Sequence, residues 1–342
     1  MSYTVYSSER LRKTAADAET KALLYLMNFR DDSPEMNFFI VDFFNDVTGM
    51  DRMGKKLWDV QSKATKNASA KEIGRELVTL FKNFLSEFTF VDYVIFMGGV
   101  PGTFRKDSSK NLFDVTNINE KAFSSVREGL MEESKAKEYI DNSFITDKNI
   151  DEFLKLVWFV VDDKLPQDYI KKIIKDYPSI IPSDSILIAI FNEIRNKQSE
   201  LKNTIVEGVT IDKISDVLKY GRELNSHEIR LLVLQRILNT DPLSKGIPEP
   251  FMEVYSHYPV ERRKMLLEQC QSAMCRALFN NSLKQAYWAL IDNVYTSIIH
   301  NPGKNIDDIV DLIPDDVLNA CIDFDAISLK YFVAKIMEGI SQ

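Results

Sequence analysis

Apolar residues recur at intervals of three and four near the start of the chain, then give way to short runs rich in aromatic and β-branched side chains. Leu11, Ala15, Ala18, Ala22, Leu26 and Phe29 keep the helical period and predict a helix over residues 8–29, ended by Asp31-Asp32-Ser33-Pro34. Residues 37–45, with Phe38, Phe39, Ile40, Val41, Phe43 and Phe44, predict a strand. Residues 48–56 contain Gly49, Asp51 and Gly54 and read as a turn, and residues 57–63 form a second extended run, so the two runs are expected to pair as a hairpin. Ile73, Leu77, Leu80, Phe81 and Phe84 predict one helix over 71–88, and residues 91–97 a third strand closed by Gly98-Gly99.

Residues 100–119 read as a loop or linker. From Glu120 onward the pattern is helical, with amphipathic runs at 120–140, 150–160, 167–176, 183–202, 211–223, 226–239, 260–278, 281–299, 306–321 and 326–340, and no strand is expected among them. Nine prolines, from Pro166 to Pro314, punctuate these runs. The fold class is therefore α+β: a mixed α/β layer over 1–145, then a helical region over 146–342, which beside a catalytic layer is expected to regulate, oligomerise or dock a partner.

Composition changes this picture at two points. The 342 residues carry 43 Lys plus Arg against 51 Asp plus Glu, a net charge of −8, which by itself argues against nucleic acid. The acid is unevenly spread: residues 1–120 hold 16 basic against 17 acidic side chains, whereas 52–82 hold eight basic against three acidic. Lys55, Lys56, Lys66, Lys71 and Arg75 within that stretch are the candidate contacts to DNA phosphates. Cys270, Cys275 and Cys321 make no disulfide framework, and His227, His257 and His300 lie too far apart for a zinc site. With no long apolar run and a polar beginning, the expectation is a cytoplasmic protein with no membrane span.

Candidate chemistry gathers on the second extended run. Strand periodicity puts Leu57, Asp59, Gln61 and Lys63 on one face, a row of carboxylate, amide and ammonium. A phosphodiester-cleaving site needs hard oxygen ligands for Mg²⁺ and a cation beside the scissile phosphate. Asp46, at the end of the preceding strand, Gln61 and Glu19 on the first helix supply oxygens, and Lys63 the cation. Asp42, four residues before Asp46, and Asp59 are alternative ligands in place of Asp46.

The helix bearing Glu19, the strand ending at Asp46, the Gln61-Ser62-Lys63 tripeptide and the helix and strand that follow resemble the PD-(D/E)XK nuclease core. Asp46 followed fifteen positions later by Gln-x-Lys is similar to the endonuclease domain of effectors in bacterial cyclic-oligonucleotide antiphage systems, in which glutamine often replaces the acidic member. The resemblance covers residues 8–100 and is echoed at 152–159. It implies a restriction-endonuclease-like core and Mg²⁺- or Mn²⁺-dependent cleavage of double-stranded DNA in phage defence. Two strands are cut most easily by paired active sites, so a homo-oligomer is expected, with or without a defence-system partner protein. The alternatives are a non-catalytic scaffold subunit of a defence or regulatory complex, whose polar row is incidental, and nucleic-acid binding without cleavage.

Overall fold

A computed structural model describes residues 3–6, 13–174, 180–280 and 284–341. The chain forms two compact units, one of residues 1–169 with 191–226 and the other of 170–190 with 227–342. The boundary expected at 145 falls inside the first unit, because strands beyond that point belong to its sheet.

In the first unit, helix α1 (Lys13–Asn28) leads into a meander of β2 (Met36–Val41), β3 (Val47–Asp51) and β4 (Leu57–Lys63). The short strand β1 (Tyr3–Thr4) precedes α1 and pairs with β8 (Thr210–Ile211). The first turns of the expected helix, including Leu11, lie outside the described residues. Then come helices α2 (Ala70–Glu76) and α3 (Val78–Phe84), strand β5 (Phe90–Met97), β6 (Leu112–Phe113), helices α4 (Glu120–Ala136) and α5 (Asp147–Leu154), and β7 (Val157–Val161). With β9 (Glu223–Asn225) they build a seven-stranded sheet in the order β6-β7-β5-β4-β3-β2-β9. Strands β4, β5 and β7 run parallel and the other pairs antiparallel.

Three expectations change here. Residues 37–45 and 57–63 are not partners, since β3 runs between them. Its Gly49, which suggested a turn, lies inside this strand, where a Cβ would stand 2.9 Å from the flexible Met36 Sδ and 3.5 Å from Leu26 of α1. The helix expected over 71–88 is two helices that meet at Leu77, whose N–H is bonded to the Gly74 carbonyl. Finally, β7 and β9 lie in the region expected to be wholly helical. Val157-Trp-Phe-Val-Val161 sits between β5 and β6, where an apolar run without alternation is what a central parallel strand requires.

The second unit is helical. Its core joins Leu266, Cys270, Ala273 and Met274 of α10 (Val260–Phe279), Trp288, Ile291 and Val294 of α11 (Lys284–His300), and Tyr331, Phe332 and Ile336 of α14 (Ala326–Ser341). Cys270 and Cys321 are buried, with thiols pushed up by that burial to about 12 and about 11, so they act as apolar filling. Parts of the runs expected at 167–176 and 281–299 lie outside the described residues. Among the described residues, no helix is long and apolar enough to cross a membrane.

Candidate active site

β3 and β4 pair with Val47 opposite Val60, so one step further Asp46 stands opposite Gln61. Asp46 does not end the preceding strand, as its sequence position suggested. β2 stops at Val41, and a tight turn, in which Asp42 adopts a left-handed φ of 49°, carries Asp46 to the start of β3. Its carboxylate is buried and Oδ2 accepts three hydrogen bonds from β4: from Gln61 Nε2 at 2.9 Å, the Ser62 backbone N–H at 2.7 Å and Ser62 Oγ at 2.9 Å. Burial pushes the Asp46 carboxyl up to about 8, and the nearby Glu19 carboxylate adds to this against the Ser62 hydrogen bonds.

The polar row on β4 is real, but its members have different surroundings. Asp59 is fully buried and accepts from Thr48 Oγ1 at 3.0 Å and Asn83 Nδ2 at 2.6 Å, with its carboxyl pushed up by burial to about 6. It is a structural acceptor under α3 and is not grouped with Asp46. Lys63, about a third exposed, forms an ion pair with Glu76 of α2. The helices that supply these partners cover the face holding Asp59, Gln61 and Lys63.

Glu19 approaches from the other side. Helix α1 covers the opposite face, where the Tyr25 ring meets that of Phe96 with centroids 5.8 Å apart. Glu19 is buried and bonded to Lys202 at 2.7 Å, both side chains less than a tenth exposed, so its cation is Lys202 rather than Lys63. Asp46, at the end of the sheet, is the residue that both faces share. Asp42 was expected on the same strand face as Asp46, yet its carboxylate turns to Arg222 at 2.9 Å, and the same guanidinium binds the Asp42 carbonyl at 2.7 Å. Asp42 is thus engaged by Arg222 as Glu19 is by Lys202.

The expected phosphate contacts divide by position. Lys55 and Lys56 precede β4 and Lys63 ends it, so at the rise of an extended strand they lie about 23–26 Å from Lys63. They sit at the wrong end of the sheet to flank a cut made beside Gln61, and Lys56 is paired with Glu35. Lys66, exposed, lies three residues after Lys63. Lys71 is paired with Glu128 at 3.0 Å and Glu132 at 2.7 Å, and Arg75 with Glu132 at 3.3 Å, so α4 offsets part of the basic count of this stretch.

Two glycine pairs fix the backbone around the site. A Cβ at Gly98 would lie 2.5 Å from the Ala64 carbonyl oxygen, and one at Gly99 2.3 Å from that of Lys66. The end of β5 therefore packs against the backbone that follows Lys63, and the Gly98 N–H bonds the Lys63 carbonyl at 2.8 Å. Gly74 and Gly129 let α2 and α4 touch backbone to backbone, which sets the position of Glu76.

The donors at hand are oxygens only: the carboxylates of Asp46 and Glu19 and the amide of Gln61. Among the described residues no three His, Cys, Asp or Glu side chains group to hold a metal ion. Two buried carboxylates close enough to raise a pKa are a pair that a hard divalent cation neutralises, and such oxygen sets suit Mg²⁺ or Mn²⁺. The donor atoms are of the kind such an ion takes, and an ion there would take the place of the Lys202 ammonium on Glu19. Gln61 would present its oxygen after a half-turn of the amide, a choice set by the hydrogen-bond network.

Lys202 and Arg222 were not found from sequence. They lie far along the chain from Glu19 and Asp42, in a stretch that reads as helix and turn, and no spacing rule links them. Ser62 stood inside the Gln-Ser-Lys tripeptide, yet nothing in its residue type marked it as a ligand holder. No family model, curated protein or solved structure matches the chain.

Proposed function

We propose that the protein is a metal-dependent nuclease that hydrolyses phosphodiester bonds of double-stranded DNA and serves in antiphage defence. The observation that carries this is the contact of the buried Asp46 carboxylate with Gln61 at 2.9 Å, with Lys63 next along the same strand face. The order helix, meander, helices and parallel strand supports it, being the order that the resemblance to PD-(D/E)XK nucleases implies with one more strand. The defence role rests on the resemblance alone.

Asp46, Gln61 and Glu19 would hold the ion, which when bound supplies an activated water and polarises the phosphoryl oxygen. Ser62 fixes Asp46 through two hydrogen bonds to one oxygen, which directs Oδ1 away from β4. Lys63 brings an ammonium that reaches solvent and offsets charge developing on the phosphate, while Glu76 holds it in place. Lys66 is placed to meet a phosphate next to the cut, and Lys71 and Arg75 reach DNA only in competition with Glu128 and Glu132.

One observation favours a non-catalytic polar core: Lys63, Glu19 and Asp42 each already have an oppositely charged partner. Plasmid DNA incubated with the full chain and Mg²⁺ or Mn²⁺, beside Asp46→Ala and Lys63→Ala, separates the two. Metal-dependent nicking or linearisation that falls about 100-fold or more in both variants is the expected result. Cleavage that survives both substitutions sinks the assigned site. No cleavage with either metal, together with lowered melting temperatures of the variants, leaves a structural polar core.

A further inference from the structure

Among the described buried and half-buried cations of its unit, Lys82 of α3 and Arg105 form no ion pair, and Arg105 bonds the Lys110 carbonyl and Asn111 instead. Lys21, Arg30, Lys63, Lys202 and Arg222 each meet a carboxylate, whereas among the described residues no carboxylate forms an ion pair with Lys82. Its ammonium instead donates to Tyr3 Oη at 2.6 Å and lies over three tyrosine rings, 4.2 Å from the centroid of Tyr3, 5.3 Å from Tyr6 and 6.0 Å from Tyr139. The Tyr3 hydroxyl passes its hydrogen to Asn83 Oδ1 at 2.9 Å, and Asn83 donates in turn to Asp59, so the nearest buried acid is reached only through two other side chains.

These groups line a cavity of 290 Å³ that also includes Leu85, Ser86 and Asp141. Asp141 is engaged by the Ser143 backbone N–H at 2.8 Å. Tyr6 is half exposed and stacks on Tyr139 with centroids 5.4 Å apart, which leaves an aromatic surface beside the ammonium. A cation that meets no carboxylate among the described residues calls for an anion from outside, and an open tyrosine face calls for a flat ring. Burial already pulls the Lys82 ammonium down to about 8, a cost that a bound anion would reverse.

We propose that this cavity binds a nucleotide, with its phosphate on Lys82 and its base against the Tyr6–Tyr139 stack. The volume suits one nucleotide, and the site does not depend on the role of Asp46. Ring stacking and phosphate pairing act together, so neither part alone should bind well.

The test is titration calorimetry on the full chain with a nucleoside monophosphate, inorganic phosphate, the unphosphorylated nucleoside and a short single-stranded oligonucleotide. The nucleotide is expected to bind at least about tenfold more tightly than phosphate or nucleoside. Lys82→Met should lose that binding about tenfold or more, Lys82→Arg should keep most of it, and Tyr6→Ala should weaken the nucleotide but not phosphate. Comparing the oligonucleotide with the monophosphate shows whether the site takes a free nucleotide or one carried by a strand. Equal binding of nucleotide and phosphate, no detectable nucleotide binding, or full binding by Lys82→Met overturns the proposal. Should Lys82→Met fail to fold, unchanged nucleotide binding by Tyr6→Ala overturns it on its own.

Discussion

Asp59 shows what burial does to a single carboxylate. It accepts from Thr48 and Asn83, both of which favour the charged form, yet loss of water outweighs them and its carboxyl rises to about 6. A carboxyl whose folded value lies above its unfolded value of about 4 binds its proton more readily when folded. Its contribution to stability is therefore full below pH about 4 and is lost as pH rises through about 6, on the order of 3 kcal/mol in all. Asp59→Asn removes that titration, so the stability of the native protein minus that of the variant should fall between pH 4 and 7. Denaturant melts across this range check it, and other carboxylates cancel in the difference. A constant difference would show that Asp59 does not titrate as its burial requires. At this scale the site was half legible: a spacing of fifteen residues and a period of two brought Asp46, Gln61 and Lys63 to one place. Lys202 and Arg222 were not, because residues that meet through the tertiary fold leave no local pattern.

Elements were most legible where one side chain pattern had one explanation. β4 and β5 match the expected runs within a residue, and α1 keeps its apolar spacing through the residues described. Gly49, Gly74 and Gly129 misled or stayed silent, since glycine marks turns in sequence but here admits a neighbour's backbone or side chain. The crossing of α2 and α4 gives a direct test. In Gly129→Ala the new Cβ would lie 2.1 Å from the Lys71 carbonyl oxygen, an atom that cannot rotate away. Helix propensity gains about 1 kcal/mol from alanine, and overpacking costs roughly 1–3 kcal/mol or more, so the clash wins when backbone must move. A melting temperature lower by several degrees is expected. Glu76 moves with α2, so the ion pair with Lys63 should loosen as well. An unchanged or raised melting temperature would mean that the helices separate without cost.

At the scale of the whole chain, a mixed sheet layer and a helical remainder are both present, but the two compact units do not divide at 145. A cut at 145 removes β7 and β9 from a sheet in which β7 links β5 to β6. It also leaves Asp42 without Arg222 and Glu19 without Lys202, and breaking a buried ion pair costs about 3–5 kcal/mol. Two such losses rival the roughly 5–15 kcal/mol that stabilises a folded domain, before any lost strand is counted. The fragment 1–145 should therefore show no cooperative thermal transition by circular dichroism. A fragment 1–226 keeps the nine strands of the described residues and both partners, and should melt cooperatively with retained strand signal. If 1–145 melts cooperatively instead, then Lys202, Arg222 and β7 are additions to a core complete without them. The candidate site would then reduce to Asp46, Gln61 and Lys63, and Glu19 would be a buried carboxylate with no cation of its own.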